Sequence, residues 1–197
     1  MSHYFTNDND NDLSGKTFNI NIKNNIYKFQ TSSGVFSKSY LDFGSKVLIE
    51  TVVVNKDDYK ILDLGSGYGP VGIVLAKENP QSVVTMIDIN KKACELAKIN
   101  AKLNDVSNVN IINNNLLEGI DEKFDLILTN PPIRAGKDIV FKLYEQAYHA
   151  LNDGGRLNVV IQKKQGAPST EKKLNELFKN VKIVKKVKGY WIIEAFK

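Results

Sequence analysis

A glycine-rich loop between an apolar strand and a helix constrains this chain more than any other feature. Tyr59 to Leu64 is a short apolar run with the pattern of a buried strand. Asp63-Leu64-Gly65-Ser66-Gly67-Tyr68-Gly69 carries that run into a helix predicted from about Pro70 to Lys77. Glycines let the backbone turn sharply and let a ligand approach the main chain. Pro70 suits the first helical turn, where its missing N–H costs nothing. The unpaired N–H groups of a helix start then face whatever the loop holds.

The alternation continues downstream. Val83 to Asp88, Val109 to Ile112, Phe124 to Thr129 and Arg156 to Ile161 read as strands. Helices are predicted from Asn90, as a cap, to about Leu103, from Asp138 to Leu151, and from Thr170 to Lys179. Asn152-Asp153-Gly154-Gly155 reads as a turn. Val181 to Val187 and Tyr190 to Phe196 have no helix between them and predict an antiparallel pair turning at Lys188-Gly189. Strands alternating with helices imply an α/β fold: a mostly parallel sheet with right-handed crossovers. Upstream, Phe18, Ile20 and Ile22 alternate with polar residues, Asn24-Asn25 follows, and Ile26, Tyr27 and Phe29 complete a predicted β-hairpin. The division expected is a disordered tail over 1–15, a hairpin and loop over 16–38, and the main domain over 39–197. That domain opens on a helix from about Ser39 to Thr51, which Gly44 weakens.

Composition excludes several classes. Cys94 is the one cysteine, so no disulfide can form within the chain, and a reducing compartment is expected. His3 and His149 stand in no metal-ligand spacing, and no metal is expected. The Asn- and Asp-rich start lacks the basic and apolar parts of a secretory signal. No apolar run approaches the ~20 residues that span a bilayer, which leaves the cytoplasm as the expected location. A monomer is the favoured state. The net charge of +5 leans weakly toward an anionic partner.

The loop departs from the G-x-G-x-x-G of dinucleotide sites, because Pro70 stands at the third glycine. Asp63 would also repel a pyrophosphate, yet it can accept hydrogen bonds from an ammonium group. Asp88 ends the next strand, about 20 residues on, where an acid that holds a ribose is expected. A ribose, an ammonium and no pyrophosphate describe S-adenosylmethionine. Asp63, Gly65, Ser66, Gly67 and Asp88 are therefore the candidate cofactor residues. Asn115, after the third main strand, is the choice for the adenine edge, since an asparagine both donates and accepts. The plain alternative is a structural turn flanked by ordinary strand-end acids.

Phe124 to Thr129 ends abruptly in Asn130-Pro131-Pro132. Neither proline has an N–H for a sheet ladder, and Asn130 is pushed to extended geometry by the proline after it. Asn130 thus stands on stiff backbone at a strand's carboxyl end, beside the crevice where ligands bind in open α/β sheets. Asn130 Oδ1 and the Pro131 carbonyl, fixed by the prolines, can accept from the two N–H bonds of an exocyclic amine or carboxamide. Its lone pair then points at a methyl donor, so Asn130, Pro131 and Pro132 are the candidate catalytic residues.

Ile61-Leu62-Asp63-Leu64-Gly65-Ser66-Gly67-Tyr68-Gly69 together with Thr129-Asn130-Pro131-Pro132 resembles the class I S-adenosylmethionine-dependent methyltransferases acting on planar nitrogen. More narrowly, Gly34-Val35-Phe36-Ser37, Leu41-Asp42-Phe43-Gly44 and Pro131-Pro132-Ile133-Arg134-Ala135-Gly136-Lys137 resemble the small-domain methyltransferase family. Its best-known members make N2-methylguanine in ribosomal small-subunit RNA. The resemblance spans roughly residues 16–197. It implies a Rossmann-like seven-stranded mixed sheet of order 3-2-1-4-5-7-6 with helices on both faces, S-adenosylmethionine as cofactor, and ribosomal RNA or the small subunit as partner. Many nitrogen methyltransferases have an aromatic residue after Asn-Pro-Pro that stacks on the flipped base, whereas this chain has Ile133. Phe36 is the candidate for the missing face. Two-domain members also carry an extra N-terminal copy of the fold, and here only the hairpin stands there.

Arg134 and Lys137 follow the motif, and Lys163-Lys164 follow the fifth main strand. Together they predict a basic mouth for phosphates. Lys182, Lys185, Lys186 and Lys188 read as a solvated strand face that discourages edge pairing. Tyr190 and Trp191 read as packing residues. The alternatives to a guanine acceptor are a protein glutamine, an adenine in nucleic acid, or an RNA-binding or assembly protein without activity.

Overall fold

In the computed structural model the described residues are 13, 15–32 and 41–197. Of the predicted tail over 1–15 only residues 13 and 15 are among them; the rest of it, Phe36 with its loop, and the predicted helix start at Ser39 lie outside. The hairpin pairs β1 (Lys16–Ile22) with β2 (Asn25–Thr31), antiparallel and in unbroken register. Helix α1 (Phe43–Thr51) starts at Asp42, whose carboxylate accepts the Ser45 N–H at 3.0 Å. That is an N-cap, and it fixes where the helix begins.

The main sheet is built from β3 (Lys60–Leu64), β4 (Val83–Asp88), β5 (Val109–Asn113), β6 (Phe124–Thr129), β7 (Leu151–Gln162), β8 (Asn180–Val187) and β9 (Tyr190–Phe196). Their spatial order is β5-β4-β3-β6-β7-β9-β8. Counted from β3, this is the expected 3-2-1-4-5-7-6. The first five are parallel, and the closing pair is antiparallel. Helices α2 (Pro70–Glu78), α3 (Lys91–Leu103), α4 (Lys137–Ala150) and α5 (Ala167–Leu177) connect the strands.

Successive residues of one strand point to opposite faces, so the sheet divides two cores. Ile61, Met86, Leu128 and Ile192 join Leu48 of α1, Leu75 of α2 and Leu96 of α3. Leu62, Ile127, Val159 and Ile193 join Leu143 of α4 and Leu174 of α5. Burying each such aliphatic side chain stabilises by about 1.5–3 kcal/mol.

The hairpin shares the first core through Ile22, Tyr27 and Phe29. Its outer edge is sealed by two asparagines one turn apart, Asn100 on α3 and Asn104 at the C-cap of that helix. Asn100 accepts the Gln30 N–H at 2.7 Å and donates back to its carbonyl at 3.0 Å. Asn104 does the same for Lys28, at 3.0 and 2.7 Å. The two amides replace the neighbouring strand that β2 lacks.

Two boundaries differ from expectation. The turn predicted over Asn152–Gly155 is a bulge inside β7, because Leu151 already pairs with Phe124 and the register shifts before Arg156 meets Leu126. Helix α5 starts at Ala167 rather than Thr170. Gly166 turns the chain at φ 112°, and Pro168 occupies the first turn.

Candidate active site

The carboxyl ends of β3, β4 and β6 open on one cavity of about 500 Å3. That lies within the roughly 300–1,000 Å3 of small-molecule sites. Its walls include Asp63, Gly65, Ser66, Gly67, Asp88, Asn115, Asn130, Pro131, Pro132, Ile133 and Arg134. Eleven predicted site residues from four segments therefore converge. Lys137, Lys163 and Lys164 are not in that wall. Lys137 Nζ lies 5.0 Å from the Phe141 ring centroid, while Lys163 and Lys164 form an exposed 3-10 turn after β7.

The loop after β3 needs its glycines. Gly65, Gly67 and Gly69 have φ of 79°, 58° and 91°, which side-chain-bearing residues seldom adopt. A Cβ on Gly65 or Gly67 would meet open space, so the bare backbone faces the cavity. Gly72 serves packing instead: a Cβ there would lie 2.5 Å from Met86 Cγ and Sδ. It is this glycine, not one at position 70, that gives α2 its close approach to the sheet.

Asp88 braces the loop. Its Oδ2 accepts the Gly67 N–H at 2.7 Å and its Oδ1 accepts the Asn90 N–H at 2.8 Å. Burial raises its pKa, and the two N–H groups oppose the rise. Each carboxylate oxygen keeps a second lone pair for a ligand hydroxyl. Asp63 is 2% exposed, and its Oδ2 accepts the Gly72 N–H at 2.9 Å. Burial pushes its pKa up to about 7; the Gly72 N–H pulls it back, and Asp88 adds to the rise. Asp63 thus has a bracing task that its position in the sequence does not reveal. Asn115 is exposed and donates to Glu118 at 2.9 Å. Ser66 Oγ is buried and has no hydrogen-bond partner among the described residues.

Asn130 is half-buried, and its Nδ2 donates to Asp42 Oδ1 and Ser45 Oγ, both at 3.1 Å. A carboxylate accepts only, so the nitrogen must face Asp42 and Oδ1 must turn the other way. The Pro131 carbonyl accepts the Ile133 N–H at 2.9 Å across Pro132, whose φ and ψ of −75° and 78° are those of an inverse γ-turn. One lone pair of that carbonyl is therefore used within the turn, and one remains.

Sequence reasoning missed Asp42 and Ser45, and read Tyr190 as packing only. Tyr190 lines the cavity, half-buried, with its ring 5.5 Å from that of Phe43. Burial and then the charge of Asp42 raise its pKa. Gly44 makes room, since a Cβ there would lie 3.0 Å from Tyr190 Cε1. The glycine that weakened the helix prediction has this packing reason.

A family model for the methyltransferase small domain matches residues 26–194. The chain belongs to the methyltransferase small-domain family. The cofactor that goes with this family is S-adenosylmethionine. An uncharacterised protein of Bacillus subtilis, YbxB, is 43% identical over 99% of this chain and 98% of its own length. A ribosomal RNA small subunit methyltransferase C of Psychromonas ingrahamii is 32% identical over 85% of this chain, but 48% of its own length. The solved T. thermophilus 16S rRNA N2 G1207 methyltransferase, in complex with AdoMet and guanosine, superposes with a TM-score of 0.80 at 24% identity. It covers 92% of this chain and 50% of that one. The chain thus spans about half the length of these two named methyltransferases, and the solved structure speaks for the fold.

Among the described residues no cluster of His, Cys, Asp or Glu could hold a metal ion. No helix among them is long and apolar enough to cross a membrane. Burial pushes the Cys94 thiol up to about 11, which leaves it protonated and a poor nucleophile at neutral pH.

Proposed function

We propose that this chain transfers a methyl group from S-adenosylmethionine to the exocyclic N2 of guanine in ribosomal RNA. The observation that carries the reading is the orientation of Asn130: its nitrogen is held by Asp42 and Ser45, which leaves Oδ1 as an acceptor toward the cavity. The residues present also fit the cofactor. The open backbone of Gly65 and Gly67, the unpartnered Ser66 hydroxyl and the braced Asp88 make a cradle for a ribose-bearing ligand. Asp63 supplies negative charge for an ammonium group, and exposed Asn115 offers its amide to adenine.

The chemistry that S-adenosylmethionine brings is a methyl on a positive sulfur, lost to a nucleophile while the bonding electrons stay on sulfur. The protein's own work is positioning. Asn130 Oδ1 and the remaining lone pair of the Pro131 carbonyl accept the two amine hydrogens and hold the nitrogen lone pair in line. Pro132 keeps that carbonyl fixed through its γ-turn. Ile133 packs on the base, and Arg134 at the mouth offers a charge-assisted contact to phosphate. No strong base is required, because the nitrogen sheds its proton after methylation.

The test offers labelled S-adenosylmethionine with ribosomal subunits, free ribosomal RNA and total protein in parallel. Label is expected on guanine N2 of RNA. Asp88→Ala should abolish cofactor binding by calorimetry. Asn130→Ala should bind cofactor yet lose methyl transfer by about 100-fold or more. Label confined to protein would sink the RNA reading.

A further inference from the structure

The basic residues at the end of the chain read from the sequence as a solvated strand face, a set separate from the mouth at Arg134 and Lys163-Lys164. The sheet brings most of them together. Gln162 pairs with Tyr190, and the Lys163 N–H donates to the Gly189 carbonyl at 2.7 Å. The β8–β9 turn therefore stands on the same rim as the cavity. Paired residues share a sheet face. Lys185 pairs with Ile192, which packs in the first core, so it lies on the face of Tyr190. Lys188 Nζ is 5.2 Å from the centroid of Phe43, the ring that Tyr190 also packs on. Lys186 pairs with Trp191 on the opposite face, with its Nζ 4.2 Å over that ring.

The charge here is unbalanced. From Lys179 to Ile193 there are five lysines and no aspartate or glutamate. Lys23, Lys60 and Lys142 reach carboxylates at 3.0, 2.9 and 2.8 Å. Among the described residues Lys163, Lys164, Lys185 and Lys188 form no ion pair. Tyr190 lines the same cavity as Asn130, at the start of the strand that these lysines flank. An aromatic face inside a lysine-lined track is the chemistry that holds a single-stranded nucleic acid, with bases on rings and phosphates on ammonium groups.

We propose that the β8–β9 hairpin is a docking arm for single-stranded RNA. Lys163, Lys164, Lys185 and Lys188 take its phosphates, and Tyr190 stacks on the base presented to Asn130. The proposal rests on the reading that RNA is the acceptor, and it supplies the aromatic face that Ile133 does not.

The test measures filter binding of a short single-stranded RNA across a salt series. Lys164→Gln with Lys188→Asn should reduce the slope of log affinity on log salt by about 0.7 for each lysine lost. Asparagine suits position 188, which has φ 45°. S-adenosylmethionine affinity should be unchanged in this variant. Tyr190→Leu should lower kcat/KM for RNA on the order of 10- to 100-fold, and Tyr190→Phe should restore it. An unchanged salt slope, or equal activity in Tyr190→Leu, would overturn the arm. Polyglutamate bound more tightly than RNA would also overturn it and assign the surface to an acidic protein. A wild type that binds RNA through these lysines without methylating guanine sinks the guanine reading and leaves the arm standing. A variant with both lysines replaced that methylates RNA as well as wild type sinks the arm alone.

Discussion

Asp42 serves two partners with one oxygen, since Oδ1 accepts both the Ser45 N–H that starts α1 and the Asn130 amide. Replacing it by alanine would remove both and mix a stability loss with a catalytic one. Asp42→Asn separates them. The new amide can still accept at the cap, but it also offers hydrogens, so it no longer dictates which end of Asn130 it meets. The expected result is a fall in kcat on the order of 100-fold with a melting temperature close to wild type. Asp63 makes a pH-dependent contribution of opposite sense to most carboxylates. Its pKa rises from 3.8 to about 7 on folding. Between those values the native state keeps a proton that the unfolded chain has released, so this contribution to stability falls as pH rises through the window. Cofactor affinity should move the other way, rising as Asp63 ionises near 7 and can attract an ammonium group. Asp63→Asn should remove that part of the pH dependence, as read from urea midpoints at about pH 5 and about pH 8. A midpoint difference between the two pH values as large as in wild type would show that burial does not perturb this carboxyl.

At the level of elements, α3 acts as a surrogate strand for the hairpin. Asn100 is fully buried, and its Nδ2 also donates to the Tyr68 carbonyl at 2.9 Å, which links the hairpin to the glycine loop. Asn100→Ala leaves the Gln30 N–H without its partner. The expected cost is about 1–3 kcal/mol by urea denaturation, with faster hydrogen exchange at Gln30. Wild-type exchange at that amide would disprove the surrogate role. Elements with a local signal were readable in the sequence: each strand of the sheet, the closing antiparallel pair, and the glycine loop with its two acids. The boundary at Thr170 was misread because a cluster of loop-like residues, Gly166 to Ser169, hides a glycine turn followed by a first-turn proline. The bulge in β7 was misread for a related reason. Asn152 to Gly155 has turn chemistry, but pairing of Leu151 with Phe124 draws it into the sheet.

Over the whole molecule, the contacts that sequence reasoning missed are those that cross long separations. Asp42 lies 88 residues from Asn130, and no periodicity relates them. Tyr190 reaches the cavity only because β9 lies beside β7. The far end of the sheet has its own long-range tie. Arg156 donates to both oxygens of Asp58, at 2.9 and 2.8 Å, and to the Val53 carbonyl at 2.6 Å. It thereby joins the segment before β3 to β7, and all three groups lie at the edge away from the cavity. Asp58→Ala would leave a guanidinium that is 5% exposed with Glu194, 3.6 Å from its Nε, as its remaining carboxylate, at an expected cost of about 3 kcal/mol. Methyl transfer at low temperature should survive; a urea midpoint equal to wild type would refute the assignment. The asparagine seal on the hairpin also sets an order of events during synthesis. Strand β2 waits for an amide 70 residues further on. At a translation rate of about 5–20 residues per second, that delay is on the order of ten seconds. Throughout it the nascent hairpin carries an open edge, free to pair with any extended chain nearby. The interval closes when α3 forms, so the hairpin is open to aggregation from its own synthesis until that of α3.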